Sequence, residues 1–318
     1  MRKLAPVLVI VALLVLSSGC LRFGEDEPDP EQEMRDLVQR IGSYGRETDP
    51  GFTLIVVNGE DLSTKDGGVA SGYVTSIDGV ARENLFFGWN GMDKATPWDV
   101  TQRLSDRLNV SKAQGKVIMA VDRCSQRGFV WDSMEWAQER GFLYFAANSE
   151  GMDTLPEYPK DPPDAHNGDV TSLREARNLL VVTAPVGFDN KTDYLKALRH
   201  TRHDVLVIDA WFNSTPLTPD DVDSLRTKAG GGQRLVIAVM GLGEIDERWQ
   251  VWNEGWSFQP PAWVKGEVPG KPGVHRVDYT SNGWRTVLYK SEGSWMDVVL
   301  GAGFDGVYLM GGDACKDI

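Results

Sequence analysis

Acidic and amide side chains recur just past short apolar runs in this chain. Asn58, Gly59 and Glu60 follow the run 52–57, Asp78 follows 72–77, Asp122 follows 116–121, and Asn148 follows 142–147. Asp209 follows 204–208, Glu244 lies just beyond 234–240, and Asp313 stands past 305–309. Two carboxyl groups brought together can protonate a leaving oxygen and supply a nucleophile or a base for water, the chemistry of glycoside cleavage. Asp209 and Glu244 are the expected pair. Asp78, Asp122, Asp313, Glu60, Asn58 and Trp211 are expected to bind hydroxyl or ammonium groups of a substrate. Trp89, Trp131, Trp211, Trp249 and Trp252 are expected in adjacent loops, and aromatic faces stack on sugar rings. Each acid taken singly is also what caps a helix or a turn, and about half of the tryptophans are expected in the core.

Such a ring needs a scaffold that collects strand ends on one rim. Eight runs read as strands buried on both faces: 52–57, 72–77, 116–121, 142–147, 179–185, 204–208, 234–240 and 305–309. Between them lie helix-like segments at 33–44, 97–108, 133–140, 191–201 and 218–228, the last opening on Thr218, Pro219, Asp220 and Asp221. This alternation predicts an α/β fold, a (β/α)8 TIM barrel, with chemistry at the C-terminal strand ends and an elaborated loop from Trp249 to Met296.

Met1, Arg2 and Lys3 precede an apolar run to Leu16 and then SSGC ending at Cys20, the pattern of a lipoprotein export signal. Residues 1–20 are therefore expected to be the signal segment with Cys20 lipidated, 21–33 an acidic tether, and 34–318 a single barrel domain. The body is placed outside the cytoplasm, anchored to a membrane surface by its lipid. The formal charge of −13 argues against nucleic acid, since like charges repel and no Lys/Arg block compensates. Four scattered histidines give no metal signal, and no cofactor is expected. Cys124 and Cys315 could pair or stay as separate buried thiols. Asn109, Asn190 and Asn213 stand in N-x-S/T patterns.

The stretches 204–212 (DVLVIDAWF), 217–221 (LTPDD), 243–246 (GEID) and 303–309 (GFDGVYL) resemble the endo-α-1,4-polygalactosaminidase-like glycoside hydrolases, a family once labelled as related to cysteinyl-tRNA synthetase. Residues 34–41, 52–60, 76–80, 82–86, 115–118 and 152–156 are similar to further family segments. In the family those segments follow the "GVYLD" strand, whereas here they precede it. The resemblance thus implies a circularly permuted TIM barrel, its old ends joined near Pro156–Val170. It also implies an enzyme acting on a polysaccharide with free amino groups. Met310 stands where the family strand ends in a carboxylate, Cys315 where it has an aromatic, Val57 replaces the glutamine of a "QNG" element, and Arg248 is displaced by one position. A methionine exchanges no proton, so the alternative is a weakened or inactive barrel that binds an envelope glycan.

Overall fold

The structure is a computed structural model that describes residues 29–316. The expected export segment, Cys20 and most of the tether lie outside the described residues. Helix α1 (Pro30–Thr48) begins inside the stretch expected to be tether: Asp29 caps it, Pro30 opens it, and Glu31 and Glu33 lie beside its positive end.

Eight strands form one parallel sheet: β1 (Thr53–Val57), β2 (Gly79–Glu83), β3 (Val117–Arg123), β4 (Leu143–Ala147), β5 (Leu179–Val182), β6 (Val205–Ile208), β7 (Leu235–Gly241) and β8 (Gly306–Met310). Their order around the sheet is β4-β3-β2-β1-β8-β7-β6-β5, so β8 pairs with β1 and the sheet curls into a nearly closed barrel. This is the (β/α)8 TIM-barrel-like fold the alternation predicts. β1, β5, β6, β7 and β8 are buried at every position, which is why their runs are continuously apolar rather than alternating.

Helices α2 (Ser71–Ser76), α3 (Trp98–Ala113), α4 (Arg127–Arg140), α5 (Lys191–Arg199), α6 (Pro219–Asp223), α7 (Asn282–Arg285) and α8 (Trp295–Ala302) lie between the strands. α1 packs beside α2 and α8, with Tyr44 donating to Asp297 at 2.6 Å. β4 and β5 face each other without ladder hydrogen bonds. The segment joining them, 148–178, holds a single 3-10 turn at Leu173–Glu175 among the described residues, where each other crossover carries an α-helix.

Two expected elements fall elsewhere. Residues 72–77 are not a strand but part of α2 and its exit, because Tyr73, Val74 and Ile77 are the buried positions and share one helical face. The strand is Gly79–Glu83 instead. Consequently Asp78 precedes β2, at the N-terminal end of the barrel, where it accepts from Leu54 N and Arg46 Nη2, each at 2.8 Å. The helix expected over 218–228 ends at Asp223, because Lys228 is drawn into the core to pair with Asp204 at 2.8 Å.

Candidate functional site

A cleft of about 940 Å³ opens at the C-terminal ends of the strands. Its walls include Trp89, Arg123, Glu150, Glu244, Asp246, Arg248, Trp249, Lys271 and Met310. Backbone geometry places Glu244 there. Leu242 N and Gly243 N both donate to Met310 O, at 2.8 and 3.2 Å, tying the exit of β7 to that of β8. A Cβ on Gly243 would lie 2.3 Å from Ala314 Cβ and 2.4 Å from Gly311 O, so only glycine fits this approach. The chain then turns back as Glu244–Asp246, pairing antiparallel with Val274–Val277, which in turn pairs with Val264–Glu267. The turn of that hairpin, between Glu267 and Val274, carries Pro269, Gly270, Lys271 and Pro272 into the cleft wall.

Lys271 Nζ lies 3.2 and 3.3 Å from the two carboxylate oxygens of Glu244 and 3.5 Å from Glu83 Oε2. Glu83, the last residue of β2, also lies 3.5 Å from Arg123, the last residue of β3. Arg276 reaches Glu244 at 4.0 Å and Asp313 at 3.7 Å. Burial works to raise the Glu83 carboxyl, but Arg123 and Lys271 outweigh it and hold it at about 2. Glu244 is raised, by burial first and then by its neighbours Glu83 and Asp313, which Lys271 offsets only in part. Burial works to lower Lys271, yet Glu244 and Glu83 overcome it and raise its ammonium.

A second group stands beside the first. Asp209 is pushed up to about 8, by burial and then by repulsion from Asp246, against the hydrogen bond from Trp211 N at 3.1 Å. Asp246 lines the cleft and is held by Arg248 through contacts of 2.6–3.0 Å. Asp209 is not part of the cleft wall. It is 3% exposed and holds its proton at neutral pH.

The other expected site residues are distributed by fold. Asp313 is half-buried beside Arg276, near Glu244. Asp122 points away from the mouth: strand alternation sends Arg123 in and Asp122 out, where it accepts from Phe86 N at 3.0 Å. Its burial, set against that bond, leaves its carboxyl at about 7. Asn58, at φ 57°, accepts from Glu83 N at 3.1 Å and so fixes the end of β2. Glu60 is fully buried against Arg82 at 3.0 Å. Neither residue lines the cleft, and Asp78 lies at the opposite end of the barrel.

Among the tryptophans, Trp89 and Trp249 line the cleft. Trp211 packs edge-on against Trp295 in the core, Trp252 stacks on His275, and Trp131 is exposed on α4, outside the cleft wall. Cys124 and Cys315 are separate buried free thiols.

Glu83, Arg123, Glu150, Asp246 and Lys271 were not among the expected site residues. Glu83 escapes notice because its strand, GVARE, carries two charges and little apolar content. Arg123 follows Asp122, and the period of two decides which of them faces the mouth. Lys271 lies in the long loop, where sequence spacing gives no position. Among the described residues no group of three or more His, Cys, Asp or Glu side chains is placed to hold a metal ion, and no helix is long and apolar enough to cross a membrane.

No family model matches the chain. It is similar to an uncharacterized protein of Thermotoga maritima, 32% identical over 73 residues, which make up 23% of this chain and 21% of that protein. It is also similar to an uncharacterized protein of Methanocaldococcus jannaschii, 30% identical over 90 residues, 28% of this chain and 24% of that protein. The chain thus spans about a quarter or less of the length of these relatives.

Proposed function

We propose that this chain is an exported, lipid-anchored glycoside hydrolase-like barrel, related to the endo-α-1,4-polygalactosaminidase-like proteins and acting on an amino-sugar polysaccharide. The observation that carries the reading is a pair of buried acids in different surroundings at the exits of consecutive strands, β6 and β7. Asp209 is buried beside Asp246 and its carboxyl is pushed up to about 8, while Glu244 lines the cleft with both of its oxygens on Lys271. Two carboxyl groups in different surroundings are what acid/base cleavage needs. In this reading Asp209, buried behind the cleft wall beside Asp246, is the proton donor, Glu244 is the nucleophile or the base for water, and Trp89 and Trp249 stack on sugar rings. The acidic surface concentrates a polymer bearing free amines. The open seam between β4 and β5 supports the permuted chain order, since the Pro-rich linker 157–169 spans it.

The test is incubation of the full chain with de-N-acetylated galactosamine and glucosamine polymers, scored for oligosaccharide release. Release is expected from at least one polymer and is expected to fall about a hundredfold or more in Asp209→Asn and in Glu244→Gln. A specific observation favours a second reading. Met310 lines the cleft where the family strand ends in a carboxylate, which suits a barrel that binds an envelope glycan without cleaving it. Polymer binding without release, unchanged in both variants, would establish that reading instead.

A further inference from the structure

The pair Glu83 and Glu244 is built around a primary ammonium, and the chain supplies one of its own. Both carboxylates are nearly inaccessible, they come from different strands, and Lys271 Nζ sits between them at 3.2–3.5 Å. Near Glu83 the hydroxyl of fully buried Tyr308 in β8 has no hydrogen-bond partner. A buried site normally satisfies its polar atoms, so the unpaired hydroxyl near Glu83 leaves an acceptor for a ligand that brings more donors than Lys271 can direct.

The lysine reaches this position on a tight turn rather than on the barrel. Lys271 N donates to Val268 O at 3.0 Å and Val274 N to Lys271 O at 3.1 Å, with Gly270 and Gly273 at φ 77° and 75°. Its supporting strand, Val264–Glu267, has three exposed residues in succession and so adds little apolar packing to hold the tip down. Buried Val268 and Val274 close the turn, and charge pairing at its end seats the lysine.

The geometry points to a primary-ammonium subsite formed by Glu83 and Glu244, which Lys271 fills in the ligand-free chain and which an amine-bearing sugar enters by displacing it. The inference rests on the proposed amino-sugar substrate and names how that substrate is recognised. A tip seated about 90% of the time lowers the apparent affinity for an external amine about tenfold, since only the open fraction accepts it. The neutral sugar gains nothing when the tip lifts, because it brings no cation to replace Lys271 and leaves the two carboxylates with Arg123 and Arg276 alone.

Calorimetric titration with galactosamine, and with galactose as the neutral control, tests this on the full chain. Lys271→Met is expected to bind galactosamine about tenfold more tightly than the unaltered chain, galactose is expected not to gain, and adding Glu83→Gln to Lys271→Met is expected to reverse the gain. A second measurement needs no substitution: Lys271 acetylation by a water-soluble succinimidyl ester, read by peptide mass spectrometry, is expected to accelerate several-fold on saturation with galactosamine but not with galactose. Equal affinities in the variant and the unaltered chain, an equal gain for galactose, or unchanged Lys271 reactivity would each overturn the inference. Amine-selective binding without polymer cleavage would retain the subsite and reject the hydrolase, whereas cleavage without amine selectivity would do the reverse.

Discussion

Asp209 and Glu244 end up in different surroundings, and this difference has a measurable consequence. An aspartic acid titrating near 8 when folded and near 4 when unfolded holds more protons in the folded state between those values. Its contribution to stability is intact below the unfolded value and is lost as pH rises through the folded one. Asp209→Asn, lacking this slope, is expected to gain on the unaltered chain between pH 5 and pH 8, by on the order of 2–4 kcal/mol. Denaturant unfolding at both pH values measures it; a difference that does not change with pH would refute the assignment. Glu83 lies at the other extreme, ionised well below neutrality because Arg123 and Lys271 hold its charge. Sequence showed the two acids Asp209 and Glu244 but could not show this separation, since burial and neighbours set it.

At the scale of elements, the exit of β7 is the critical turn. The spacing of Gly241 and Gly243 before Glu244 signals a close approach of backbone, and the approach is to Ala314 and Gly311. Gly243→Ala is expected to cost roughly 1–3 kcal/mol through overpacking and to displace Glu244 from the cleft wall. A lowered thermal midpoint together with loss of the proposed polymer cleavage is the expected result, and a variant unchanged in both would show that the turn has room. The seam offers a second check. β4 and β5 each have a ladder neighbour on one side only, while β1 and β7 have two. Amides of β4 and β5 that face the seam are expected to exchange with deuterium at least tenfold faster than amides of β1 and β7. Uniform protection around the barrel would mean that the seam is closed in solution.

For the whole molecule, the ends of the described chain meet: the turn Ala314–Lys316 packs against α1, and Lys316 pairs with Asp61. A rearranged gene joining residue 316 to residue 29 through a short linker, and opening the chain within 157–169, keeps every strand neighbour. It is expected to fold with a thermal midpoint within a few degrees of the unaltered barrel, about 1 kcal/mol or less on this size of domain. Failure to fold would show that the 148–178 segment is needed to hold β4 against β5.

The sequence by itself determined the barrel, because continuous apolar runs separated by helical segments have few ways to bury both strand faces. It also named Glu244 as a residue of the mouth, since glycines before an acid at a strand end restrict where that acid can go. Tertiary structure alone decided which acids share the cleft. Asp78 moved to the far end when its neighbouring strand shifted, Asp122 turned outward by the period of two, and Glu60 was consumed by Arg82. Lys271 arrived from a loop that no local pattern positions, held by the attraction of two buried carboxylates. Local pattern fixes burial and period, but a charge finds its partner only when the whole chain has folded.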